Sequence, residues 1–132
     1  MAKEDDLIWA TRVGDVAEVR RLLSEGADVH ADNDWALRWA AAYGHTEIVR
    51  LLLEAGADLH VSDDYALRVA AYNGHAEIVK LLLEAGANPH ALDDAALRWA
   101  TYYKHTEVVK LLEDAMRKEM AVTGPLLISK HW

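Results

Sequence analysis

The sequence predicts an all-α solenoid, a stack of short helix pairs, and three observations predict it. A thirty-residue block recurs in register at residues 26–55, 56–85 and 86–115. The first two copies agree at 20 of 30 positions and the second and third at 17 of 30, with no gap, so each copy is one structural unit. The composition is that of a helix former: 23 of the 132 residues are alanine, and Leu, Glu and Arg are abundant. Inside each unit the apolar residues fall into two runs of helical spacing, and a pair of helices this short buries its apolar faces only by stacking on its neighbours.

Residues 1–25, ending LIWATRVGDVAEVRRLLSE, follow the second part of the same pattern and are read as a partial N-terminal repeat. In the unit 26–55, Asp34 stands just before a helical stretch and is expected to cap it, as are Asp64 and Asp94 in the units 56–85 and 86–115. Leu37, Ala40 and Ala41 form a narrow apolar stripe of small residues suited to close helix packing. Gly44 and Gly74 supply left-handed stops. A second helix follows, with Ile48, Val49, Leu51, Leu52 and Ala55 apolar and Glu47, Arg50 and Glu54 polar, ending at Gly56. In the last segment, 116–132, a stripe from Leu111 through Met116 and Met120 carries the helix to about Val122, where Gly124-Pro125 is expected to stop it. The tail that follows, LLISKHW, either folds back to cap the last unit through Leu126, Leu127, Ile128 and Trp132, docks on another chain, or is an appended peptide.

Charge and motif content narrow the function. Lys+Arg 14 against Asp+Glu 22 leaves a net charge of −8, the wrong sign for nucleic acid or an anionic membrane surface. There is no cysteine, hence no disulfide, thiolate ligand or thiol nucleophile. No apolar run nears the ~18 residues of a membrane span, and MAKEDDLIWA carries no apolar leader, so the expectation is a cytoplasmic chain or a designed one. Ser-His-Asp sets, glycine-rich phosphate loops and HExxH are lacking, so neither an enzyme nor a cofactor is expected.

Three polar sets recur with the period. His30, His60 and His90 form one column and His45, His75 and His105 another. Equivalent residues of stacked helices lie ~8–10 Å apart and point in parallel, whereas zinc needs nitrogens converging at ~2.0–2.1 Å, so no metal is expected. The acidic pairs Asp32–Asp34, Asp63–Asp64 and Asp93–Asp94 precede helices and lack calcium-loop spacing, which favours capping. Arg38, Arg68 and Arg98 are read as bridges to those aspartates in the neighbouring loop, with the grip of an anionic partner as the alternative.

GHTEIVRLLLEAGADLH at 44–60 and WALRWAA at 35–41 resemble the second helix with its following loop, and the first helix, of the ankyrin-repeat family. The resemblance covers roughly residues 5–115. It departs from the family in period, 30 residues in place of 33, with three missing where the family has its hairpin finger. Arg38, Arg68 and Arg98 stand where the family has His, and Ala36, Ala66 and Ala96 where it has Pro. The ALRWA form and short period are similar to the ankyrin variety abundant in giant viruses. The resemblance implies that His45, His75 and His105 bond the loop and start the second helix. It also implies a concave binding side built from the loop and the first helix.

The aromatics point to that same side. They are 5 Trp and 5 Tyr with no Phe, so every ring carries a polar handle. Trp9, Trp39, Val69 and Trp99 are apolar in every unit and are expected to pack between units, although Trp39 and Trp99 also stand among the candidate partner-binding residues. Other columns change from unit to unit while the framework stays: Trp35, Tyr65 and Ala95; Ala42, Tyr72 and Tyr102; Tyr43, Asn73 and Tyr103. The loop positions Asp32, Ser62 and Leu92, and Asn33, Asp63 and Asp93, vary likewise. Drift at free surface sites favours Lys, Glu and Ser, so a set of Tyr and Trp there predicts recognition of another protein. The competing reading is a structural or engineered repeat scaffold that self-assembles into a homo-oligomer.

Overall fold

In the computed structural model the backbone is described for residues 3–130 and the side chains for residues 6–119. Eight helices follow one another: α1 Lys3–Val13, α2 Val16–Ser24, α3 Ala31–Tyr43, α4 Thr46–Glu54, α5 Val61–Tyr72, α6 Ala76–Glu84, α7 Ala91–Tyr102 and α8 Thr106–Lys130. Among the described residues there is no strand, and no helix is long and apolar enough to cross a membrane.

Packing follows the stripes. The inner helices α1, α3, α5 and α7 lie side by side in one layer, and α2, α4, α6 and α8 form the second. Ala36, Leu37, Ala40 and Ala41 are all buried in α3, as Ala66, Leu67, Ala70 and Ala71 are in α5, and the alanines let the inner layer pack closely. From the outer layer, Ile48, Val49 and Leu52 of α4 and their counterparts in α6 fill the space between the layers. The first unit has both helices, α1 and α2, and lacks only the loop that opens the later units.

Three glycine–histidine contacts set the spacing between units. Gly44 ends α3 at φ 79°, and a Cβ there would lie 2.9 Å from Cε1 of His75 in the next unit. His75 Nε2 donates to the carbonyl of Ala42 at 3.0 Å and His105 Nε2 to that of Tyr72 at 2.9 Å. His75 and His105 therefore clamp their units to the end of the preceding inner helix, and His45 packs its ring against Gly14 in the same place. No side-chain cap bond joins His45 or His75 to its own helix, so the part in starting the second helix is positional.

The outer side of the first unit is acidic where inner units carry alanine, histidine and isoleucine. Asp6, Asp15 and Glu18 occupy the places of Ala36, His45 and Ile48. At the far side of the last unit Lys104 and Glu113, both exposed, replace Gly74 and Leu83, while Leu112 is wholly buried against its own unit. α8 does not stop at Gly124-Pro125, where the sequence led us to expect it, but runs to Lys130. A proline inside a helix forfeits one hydrogen bond and about 3 kcal/mol, which kinks a helix more readily than it terminates one propagated from both sides. The capping expected of Leu126, Leu127, Ile128 and Trp132 concerns side chains outside the described residues.

Candidate functional site

Each full unit opens with a left-handed turn in place of a hairpin finger. Asp32, Asn33 and Asp34 have φ between 53° and 57°, Ser62, Asp63 and Asp64 lie at 55° to 56°, and Leu92, Asp93 and Asp94 at 51° to 58°. Each such residue costs roughly 1–2 kcal/mol unless something holds it, and only Asn and Asp enter that region readily. Arginine does the holding. Arg38 donates from Nε to the Asn33 carbonyl and from Nη2 to the Asp32 carbonyl, both at 3.1 Å. Arg68 and Arg98 repeat the grip on residues 63 and 62 and on residues 93 and 92, at 2.9–3.1 Å. The expected bridge from these arginines to neighbouring aspartates is thus corrected: successive left-handed residues align their carbonyls, and the planar fork takes two of them.

The aspartates have a different task from the capping expected of them. A residue at φ 55° lacks the extended backbone an N-cap requires. Asp34, 3% exposed, instead reaches the next unit and accepts the Asp58 N–H at 2.9 Å, while His30 Nδ1 donates to it at 2.9 Å. Asp64, 5% exposed, accepts the Asn88 N–H at 2.7 Å and His60 Nδ1 at 3.0 Å. No further loop follows Asp94, whose side chain is 44% exposed and bonds to His90 Nδ1 at 2.7 Å. His90 Nε2 lies 3.0 Å from Glu119, and its pKa is raised, chiefly by the hydrogen bond to Asp94, which outweighs the opposing effect of burial, with the charges of Asp94 and Glu119 adding to the rise. Among the described residues no three His, Asp or Glu side chains are grouped to hold a metal ion.

The aromatic side chains lie on the inner helices, on the face turned away from the core. Trp9 is 61% exposed, Trp99 is exposed, and Trp39 and Val69 are half-buried, so this column is only partly buried, although Trp39 meets Arg12 and Trp99 meets Tyr72 across units and Val69 packs against the core. The reason is angular. Residue 39 sits roughly 200° around the helix from Leu37, opposite the Leu37–Ala40–Ala41 stripe. Trp35, Trp39 and Tyr43 make one ring cluster, with centroids 5.5 and 4.6 Å apart, and the Arg12 guanidinium lies 4.8 Å over Trp39. Tyr72, Trp99, Tyr102 and Tyr103 make a second: Tyr72 meets Trp99 at 5.5 Å and Tyr103 at 5.0 Å, and Tyr102 meets Tyr103 at 4.9 Å. The Tyr72 and Tyr103 hydroxyls are 3.4 Å apart, and that bond, with some burial, raises the Tyr103 pKa. Tyr65 links the clusters, flanked by Arg38 at 5.9 Å and Arg68 at 5.4 Å.

Two hollows open on this face. One of about 550 Å³ is lined by Trp35, Arg38, Trp39, Ala42, Tyr43, Tyr65, Asn73 and His75, and one of about 240 Å³ by Tyr65, Arg68, Val69, Tyr72 and Trp99. Asn73 donates from Nδ2 to the Ala42 carbonyl at 3.0 Å, and the indole N–H of Trp39 is buried with no acceptor among the described residues. Tyr102, 73% exposed, stands beside the second cluster, while Ala95 is buried. Asp32, Asn33, Ser62, Asp63, Leu92 and Asp93 are exposed on the left-handed turns. Sequence reasoning missed Arg12 as a member of the face and gave Arg38 and Arg68 a partner-gripping role only as the alternative, although each stands three residues after a ring, Trp35 or Tyr65, a spacing that puts them on one side of a helix.

A layered stack of helix pairs with its rings gathered on one face defines a repeat solenoid. The fold is that of an ankyrin-repeat solenoid: one family model, ankyrin repeats (many copies), matches residues 37–83, and a second, ankyrin repeats (3 copies), matches residues 62–120. No curated protein matches the chain. Ankyrin repeats are, as a family, protein-binding modules.

Proposed function

We propose that this chain is a non-enzymatic module that binds a protein partner through the ring-lined face of its inner helices. One observation carries the reading: exposed and half-buried Trp and Tyr cluster on the face of α1, α3, α5 and α7 turned away from the core, in a framework that is otherwise nearly invariant from unit to unit. A rigid stack loses little entropy on binding, and Tyr and Trp supply contact area with few rotors. The short 30-residue period supports a place among the giant-virus-like or engineered varieties of the repeat.

Capture from lysate followed by identification of the retained protein supplies the partner. Trp35→Ala, Tyr65→Ala and Tyr103→Ala are each expected to weaken its binding by about 1–4 kcal/mol with helicity intact, while Glu54→Ala on the outer layer leaves it unchanged. Equal loss from Glu54→Ala overturns the assignment of the face. Light scattering on the pure chain addresses self-assembly: a monomer supports a hetero-partner, and a defined oligomer supports the scaffold reading.

A further inference from the structure

Three of the four arginines on the outer layer and α8 have carboxylate partners: Arg21 pairs with Glu18 and Glu25 at 2.6 Å, Arg50 with Glu47 at 3.4 Å and Arg117 with Asp114 at 2.6 Å, while Arg20 of α2 has none among the described residues. Arg12, Arg38, Arg68 and Arg98 on the inner helices have no carboxylate partner among the described residues. Arg38, Arg68 and Arg98 spend Nε and Nη2 on loop carbonyls, which leaves their positive charge uncompensated, and Arg12, Arg38 and Arg68 stack on rings. Both hollows hold one such guanidinium, and no acid lines either one, in a chain whose net charge is −8. A carboxylate entering a hollow would meet a fixed, unpaired guanidinium set in apolar rings, where a charge-assisted bond is strong.

Spacing then restricts the ligand. Neighbouring inner helices bring equivalent arginines about 8–10 Å apart. One turn of polyproline II, three residues, covers about 9.3 Å and returns every third side chain to the same face; a β-strand would alternate them between faces. We infer that the face takes an extended segment of a protein partner carrying an acidic side chain at every third residue, one carboxylate for each arginine, with apolar residues or proline between them laid on the rings. This rests on the reading of the face as the binding surface and names the chemistry of what binds there. The exposed Asp32, Asp63 and Asp93 on the turns edge the same face and repel a continuous polyanion, so neutral residues must separate the ligand's charges.

The test is fluorescence anisotropy with the full chain and a labelled synthetic peptide in which Leu-Pro-Glu is repeated. The peptide is expected to bind, more weakly as salt rises, and its Gln counterpart by roughly tenfold or more less tightly. A peptide of the same composition with its Glu residues grouped at one end is expected to lose a similar factor. Arg38→Gln and Arg68→Gln should reduce binding by the same order, while Arg50→Gln on the outer layer should not. Those two inner variants also drop turn bonds, so circular dichroism accompanies them, and the three peptides on the unaltered chain decide the matter even if a variant fails to fold. Equal binding of the Glu and Gln peptides, or of the grouped peptide, overturns the inference. So does oligothymidylate competing at equal affinity, which would make nucleic acid the ligand. If Trp35→Ala abolishes capture of a protein partner while no acidic peptide binds, the face stands and only its acidic chemistry falls.

Discussion

Gly74 and Lys104 occupy the same place in successive units, and their neighbours decide what each costs. Gly74 has φ 76°, and a Cβ there would lie 2.7 Å from Nδ1 of His105. Gly74→Ala therefore combines a left-handed penalty with displacement of the ring that bonds the Tyr72 carbonyl, and should lower unfolding stability in urea by about 2–3 kcal/mol. Lys104 also sits at φ 60°, with no histidine of a following unit against it. Lys104→Gly should raise stability by about 1 kcal/mol in the same experiment, and a loss would show that the lysine side chain has a contact worth more than its strain. The aspartate column divides in the same way. Asp64→Ala strands the Asn88 N–H and should cost about 2–4 kcal/mol, whereas Asp94→Ala, at a half-exposed site with no loop to hold, should cost under about 1 kcal/mol.

At the scale of elements, the helices were legible and the turns were not. Period, stripe and glycine stop place α3 to α7 because each is a local pattern repeated with little noise. The left-handed turn escapes such reading because three successive non-glycine residues, Leu92 among them, oppose local preference. What stabilises the turn is Arg38 six residues on and the amide that Asp34 reaches 24 residues on. The tryptophan column touches neighbouring units but is less buried than its constant apolarity suggested, and its angle from Leu37, which explains the exposure, was available in the sequence. The contact of the third turn with α8 carries a pH dependence. Since His90 is raised above its ordinary 6.5 by Asp94 and Glu119, the folded state favours the charged ring. That stabilisation is full below the ordinary value and is lost as pH rises through the higher folded one. Melting temperature should therefore fall modestly as pH climbs from about 6 toward 8, and His90→Gln should remove the slope. A slope unchanged in the variant would assign it to another group.

The whole molecule behaves as a stack whose two outer sides differ from its interior. Asp6, Asp15 and Glu18 on one side, and Lys104 and Glu113 on the other, put charge where inner units carry alanine, histidine, isoleucine, glycine and leucine. Restoring the repeat residues at both sides, with Asp6→Ala, Glu18→Ile and Glu113→Leu together, should convert the chain to concentration-dependent oligomers by light scattering. A variant that stays as monomeric as the parent would show that the charges do not guard those sides. The candidate face was legible in part for the same architectural reason: a column of the repeat is a line on the molecule, so variation between units maps directly onto one surface. The arginines Arg38, Arg68 and Arg98 were read first as framework because they never vary.

That invariance makes the bonds from Asp34 to the Asp58 amide and from Asp64 to the Asn88 amide natural reporters. Both amides lie in loops, yet each is held by a buried carboxylate of the preceding unit, so their deuterium uptake measures how often adjacent units part. Arg38 and Arg68 fix the turns that aim those carboxylates, so a ligand gripping the arginines from outside should slow exchange at residues 58 and 88, on the edge away from the rings. Protection spreading to those two sites, and absent when Arg38 is replaced, would mean that engaging one unit stiffens its seam with the next.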